Sequence, residues 1–95
     1  KYLIMIYNKS TIQKKIQELK GWGFKDNAID KAYVFKNFSE ALAFIVQIGC
    51  VSEKQNHHAE IWNVYNKVTL RLSTHDAGGV TDKDIKLAAA IDKLA

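Results

Sequence analysis

The sequence has no proline, a single cysteine, a single arginine and few glycines, and each scarcity closes off a class of protein. Without proline, and with glycine sparse, no stretch reads as a linker, a low-complexity segment or a disordered tail. The lone cysteine, Cys50, cannot close an intramolecular disulfide. A secreted domain of 95 residues usually needs such staples, so a reducing, cytoplasmic setting is expected, with a nuclear pool also compatible. Cys50 itself reads as a small apolar residue on a buried helix. Arginine occurs only as Arg71, and the lysines are scattered from Lys1 to Lys93. Dedicated nucleic-acid binders gather charge into one patch and favour arginine, so the net charge of +4 reads as solvated faces and no nucleic-acid partner is expected. Long apolar runs are missing too. The opening KYLIMIY is too short for a membrane span or a signal-peptide core, so no membrane partner is expected. The chain starts at Lys1, so a longer precursor with a removed targeting segment stays open.

What is present suits one small domain over residues 1–95. Apolar residues make up 47% and charged residues 25%, ordinary values for a globular chain with a thin core. Tyr2–Tyr7 reads as a short strand or an apolar tail. Ser10 reads as an N-cap, with Gln13 completing a capping box, for a helix over 11–20 carrying Ile12, Ile16 and Leu19 at helical spacing. Gly21-Trp22-Gly23 stops it. Strands are expected over 24–26 and 32–38, joined by a polar turn. The segment 39–54 reads as a helix with a narrow polar stripe of Glu40, Gln47 and Lys54. A helix apolar on nearly every side must be covered on nearly every side, so one face is expected on a sheet and the other on a partner subunit. Residues 60–65 and 68–74 read as a hairpin, because Val68, Leu70 and Leu72 alternate with Thr69, Arg71 and Ser73. Asn66-Lys67 is the expected turn. Thr81, with Asp84 three residues on, caps a last helix with Leu87, Ile91 and Leu94 on its apolar stripe. Trp22, Phe24, Phe44 and Trp62 are expected in the core, and Gly78-Gly79 as a plain turn. The fold class is α+β: a four-stranded antiparallel sheet with three helices packed on one face, in the order α-β-β-α-β-β-α.

The three histidines, His57, His58 and His75, fall in one stretch around the second hairpin. A two-residue loop at Asn66-Lys67 sets His58 opposite His75, and a three-residue loop sets His57 opposite His75. Either register brings Cβ atoms to about 5 Å. Glu53, Asn56, Glu60, Ser73, Thr74 and Asp76 stand near, and Glu53 either orients a histidine or ends a helix. By residue type three readings are open. The histidines are inert edge residues; or, with Asp76, they are metal ligands, although adjacent His-His is not common zinc spacing; or they are acid–base groups for a small polar ligand, since imidazole titrates near neutrality.

The run Glu53-Lys54-Gln55-Asn56-His57-His58-Ala59-Glu60 resembles the signature of the pterin-4a-carbinolamine dehydratases. Asn63-Val64-Tyr65-Asn66 is similar to their middle block, and Leu72-Ser73-Thr74-His75-Asp76-Ala77-Gly78-Gly79-Val80-Thr81 to their last; Asp84-Ile85 and Leu87-Ala88 fit as well. The likeness runs from about residue 10 to 95. Ala59 departs from it, since the family usually has proline there. Alanine loosens the backbone restraint at His58 but removes no functional group.

The resemblance implies dehydration of 4a-hydroxytetrahydrobiopterin to quinonoid dihydropterin in tetrahydrobiopterin recycling, with neither metal nor organic cofactor. It implies a homodimer or homotetramer, and His57, His58 and His75 as the catalytic set. Asn56, Ser73, Thr74 and Asp76, with the histidines, would line the pterin site. His57 and His75 are expected to flank the ring as general acids, with His58 orienting the substrate or relaying the proton. The alternative that the resemblance implies is an interaction role, as a dimerisation cofactor of a transcription factor through the helix at 39–54.

Overall fold

Asn8 starts the first helix. Its side-chain oxygen accepts the Thr11 N–H at 2.8 Å, so the helix begins two residues earlier than a Ser10 cap would allow. Both residue types make good caps. The choice is made from outside the helix, where Tyr7 N–H donates to the Val80 carbonyl at 2.8 Å and pins the chain just before Asn8. The structure, a computed structural model, describes residues 6–95. The element expected at Tyr2–Tyr7 therefore falls mostly outside the described residues.

The elements are α1 (Lys9–Gln17), β1 (Gly23–Lys25), β2 (Ala28–Val34), α2 (Phe38–Gln55), β3 (Glu60–Val64), β4 (Lys67–Leu72) and α3 (Asp82–Leu94), with a short 3₁₀ turn at His75–Ala77. The strands form one sheet in the order β1-β2-β4-β3, and every neighbouring pair is antiparallel. On β4, Val68, Leu70 and Leu72 are fully buried while Lys67, Thr69 and Arg71 are not. Their face meets Ile12 and Ile16 of α1, Ala41, Phe44 and Ile48 of α2, and Leu87, Ala88 and Ile91 of α3 in one core. The α+β order and the helix-covered sheet match the expectation.

Several boundaries differ from expectation, each for a local reason. The second strand lies at Ala28–Val34 rather than 32–38. Asp26 and Asn27 both take positive φ (52° and 61°), which makes the tight reversal that pairs Lys25 with Ala28; Asp and Asn tolerate this region better than most residues. In the second hairpin the turn is Tyr65-Asn66, not Asn66-Lys67, and Val64 pairs with Lys67. Asn66 is held by Phe35, exchanging N–H and carbonyl at 2.8 Å through backbone and side chain. Asn63 donates to the carbonyls of Tyr65 and Lys67. These bonds keep Tyr65 at φ 50°, a conformation its side chain alone would disfavour.

Two burial expectations are overturned. On α2 the buried positions are Ala41, Phe44, Ile48 and Ser52, one helical stripe. Cys50 falls on the other side and is exposed, beside a row of Phe38, Leu42 and Val46 that is 45%, 46% and 60% exposed. Trp62 is 52% exposed on edge strand β3, while Trp22 and Phe44 are buried and Phe24 packs partly against the core.

Near the end of α3, Asp92 gathers three donors: Trp22 Nε1 at 3.0 Å, Lys31 Nζ at 2.9 Å and the Tyr33 hydroxyl. This ties α3 to β2 and to the loop after α1. Burial, then the hydrogen bond and charge of Asp92, push the Tyr33 phenol above its usual range. The folded chain therefore keeps a proton that the unfolded chain releases above about pH 10, so this contribution to stability declines as pH rises past that point. Denaturant midpoints measured from about pH 8 to 11 should fall less steeply for Tyr33→Phe than for the wild type.

Candidate active site

Helix α2 ends by reversing sharply. Asn56 adopts the left-handed conformation (φ 52°, ψ 44°), its N–H returns to Glu53 O, and His57 N–H returns to Ser52 O at 3.0 Å. Asparagine is among the few residues with a side chain that often end helices this way. The reversal directs His57 towards α3, where its Nε2 meets Asp84 Oδ1 at 2.5 Å. The Asp84 side chain is wholly buried and that of His57 is 11% exposed. His58 Nε2 lies 2.7 Å from Glu53 Oε1, but both side chains are exposed, so that pair contributes little to stability.

His75 opens the 3₁₀ turn after β4. Its backbone is fixed by Gly78, whose N–H returns to the carbonyls of Thr74 and His75 at 3.0 and 3.1 Å. Gly78 takes φ 78°, which glycine adopts without a Cβ penalty. Gly79 then bridges back to Thr74. A Cβ on Gly79 would stand 2.6 Å from Ile6 Cδ1, so no larger residue fits there unless Ile6 moves. His75 itself is exposed.

The histidines do not face one another across the ladder, as either expected register required. Pairing stops at Glu60–Arg71, so all three lie beyond the strands. They meet because both connecting segments leave the same end of the hairpin. Asn56, His57, His58, Ser73, Thr74, His75 and Asp76 nonetheless line one recess of about 330 Å³, joined by Lys83. That is near the lower end of small-ligand sites. A larger depression of about 650 Å³ lies along α1, lined by that helix and its C-cap residue Glu18, and includes none of the histidines.

Two expected ligand residues have their hydroxyls engaged elsewhere. Ser73 Oγ donates to Asn27 O at 2.9 Å. Thr74 is 4% exposed, and its hydroxyl binds Asp84 at 2.8 Å and Thr81 at 2.6 Å. Asp84 and Lys83 are functional candidates that sequence reasoning passed over. The signal for Asp84 was its position three residues after Thr81. The capping box is real: Thr81 N–H donates to Asp84 Oδ2 at 2.9 Å. A capping carboxylate has a second oxygen, however, and here that oxygen takes His57. Among the described residues no group of three or more His, Cys, Asp or Glu side chains is arranged to share a metal ion.

Residues 6–94 match the sequence profile of a family described as pterin 4 alpha carbinolamine dehydratase. A protein of Opitutus terrae, provisionally named a pterin-4-alpha-carbinolamine dehydratase, is 46% identical over 91 residues, covering 95% of this chain and 94% of its own. A protein of Sulfurisphaera tokodaii with the same provisional name is 42% identical over 83 residues, covering 87% and 89%. The crystal structure of a transcriptional coactivator/pterin dehydratase from Brucella melitensis superposes with a TM-score of 0.92 at 36% identity, covering 96% of this chain and 99% of that one. A pterin dehydratase-like RuBisCO assembly factor of the alpha-carboxysome shares the fold at a TM-score of 0.64 and 23% identity, over 78% and 86% of the two chains.

Proposed function

From the premise that the chain belongs to the pterin 4 alpha carbinolamine dehydratase family, we propose that it dehydrates a pterin-4a-carbinolamine, 4a-hydroxytetrahydrobiopterin, to quinonoid dihydropterin and water. The observation that carries this reading is the recess lined by all three histidines, with His57 locked to a buried carboxylate. Dehydration breaks the bond between carbon 4a and its hydroxyl oxygen, and that oxygen takes a proton and leaves as water. The nitrogen-5 lone pair forms the new double bond, and the nitrogen-5 proton passes to a base. Imidazole can serve as acid or base near neutrality, and each well-placed group is worth on the order of 10²–10⁴ in rate.

In this reading His57 and His75 stand on either side of the ring and handle the proton of the departing hydroxyl, one for each face. His58, with Glu53 behind it, orients the substrate or relays the proton. Asn56, Ser73, Thr74 and Asp76 line the site, with backbone groups serving where the Ser73 and Thr74 hydroxyls are engaged. The place of this step is tetrahydrobiopterin recycling in the cytoplasm. No helix among the described residues is long and apolar enough to cross a membrane.

The exposed row Phe38, Leu42 and Val46 supports a homodimer or homotetramer in which a second copy covers α2, since contiguous apolar surface usually marks an interface. The same row favours a second reading, an interaction role as a dimerisation cofactor of a transcription factor; the Brucella melitensis neighbour is described as a transcriptional coactivator as well as a pterin dehydratase.

One experiment separates these readings. Purified protein is mixed with freshly generated carbinolamine, and quinonoid dihydropterin is followed optically, with the sample's mass measured by sedimentation. Faster formation than the uncatalysed rate, from an assembly of two or four chains, is the expected result. An inactive wild type would overturn the enzyme reading, and a monomer would overturn the assembly.

A further inference from the structure

The hydrogen bonds behind His57 form a chain whose direction is determined. Asp84 Oδ2 accepts the Thr81 backbone N–H at 2.9 Å and the Thr74 hydroxyl at 2.8 Å. Thr74 Oγ1 lies 2.6 Å from Thr81 Oγ1, which in turn accepts the Lys83 backbone N–H at 3.2 Å. Each hydroxyl has one proton to give. The Thr74 hydroxyl donates to Asp84 Oδ2, which commits its one proton, so Thr81 must donate to Thr74. Asp84 Oδ1 is then left as an acceptor, and its partner is His57 Nε2.

We infer that Thr74 is a positioning residue: by orienting the Asp84 carboxylate, it makes neutral His57 carry its proton on Nε2 and leaves Nδ1 as the nitrogen free for a ligand. The partner of one ring nitrogen sets the state of the other. Thr74, Thr81 and Asp84 are all buried, where such a network is stronger than in water and sensitive to the loss of any member. Thr74 thus serves the site from behind, not as the substrate ligand that its place in the sequence motif suggested. The catalytic consequence rests on the dehydratase reading; the tautomer does not.

The test begins without substrate. Nitrogen-15 spectra of the histidines, taken at a pH where His57 is neutral, should show Nε2–H in the wild type. Thr74→Val, which keeps the shape and removes the hydroxyl, should shift His57 towards a mixture of tautomers, and Thr74→Ser should restore the wild-type pattern. In turnover, Thr74→Val should lower kcat on the order of tenfold with KM nearly unchanged, the scale of one lost hydrogen bond to a charged group, and Thr74→Ser should recover it. Nδ1–H on His57 in the wild type would overturn the inference, and that result is available even if Thr74→Val fails to fold. So would a valine variant with wild-type tautomer and kcat, or one that raises KM at constant kcat, which would make Thr74 a direct substrate contact. The expected spectra in a protein that does not turn over carbinolamine would support the positioning role and overturn the dehydratase reading alone.

Discussion

Replacing His57 with alanine is expected to lower carbinolamine dehydration by about 10²–10⁴-fold, the range for losing one positioned acid–base group. His57 is the histidine whose geometry is most restrained. The helix-ending turn at Asn56 aims it, and the 2.5 Å contact with Asp84 holds it. Little conformational freedom remains to be lost when a substrate arrives, which is where positioned groups gain their rate advantage. His75→Ala should cause a loss of the same order, because its exposed imidazole lines the same recess. His58→Ala should cost less than either, since His58 and its partner Glu53 are both largely solvated. Initial rates of quinonoid dihydropterin formation for the three variants would check the ranking. A His57→Ala enzyme within a few-fold of wild type would remove this residue from the proton transfers.

Asp84→Ala should destabilise the fold itself, by about 3–5 kcal/mol. One carboxylate satisfies the Thr81 N–H at the start of α3, the Thr74 hydroxyl at the end of β4, and His57 after α2. Alanine leaves all three groups facing a site closed to solvent, since Asp84 and Thr81 have no exposure and Thr74 has 4%. Small domains have about 5–15 kcal/mol in total, so the loss would be a large share. Urea or thermal unfolding measures it. A change below about 1 kcal/mol would mean that water or a rotated hydroxyl replaces the carboxylate at little cost. Asp84→Asn separates charge from shape: the amide can still accept from the Thr81 N–H, but its NH₂ then meets the Nε2–H of His57 donor to donor.

The local patterns were legible where one short segment carries the whole signal. The alternation of Val68, Leu70 and Leu72 identified β4 and its buried face, and Thr81 with Asp84 marked the start of α3. The excess of apolar residues on α2 pointed to a helix with more greasy surface than one sheet can cover, and Phe38, Leu42 and Val46 are indeed left exposed. Cys50 and Trp62 were misjudged because residue type states a preference for burial, while the phase of a helix or the edge of a sheet decides which side receives it. The turn at Tyr65-Asn66 was missed because tyrosine gives no sign of positive φ; the bonds from Asn63 and Phe35 that hold it come from elsewhere in the fold.

The sequence alone determined the element order, the apolar stripes and which titratable side chains cluster around the second hairpin, because hydrophobic period, capping residues and titratable groups are properties of neighbours along the chain. Only the tertiary structure decided how the histidines meet and what stands behind them. The hairpin ends before it reaches them, so two loops bring them to one recess. The carboxylate that orients His57 lies 27 positions away, and nothing local to His57 could reveal that the free oxygen of a helix cap would be turned towards it.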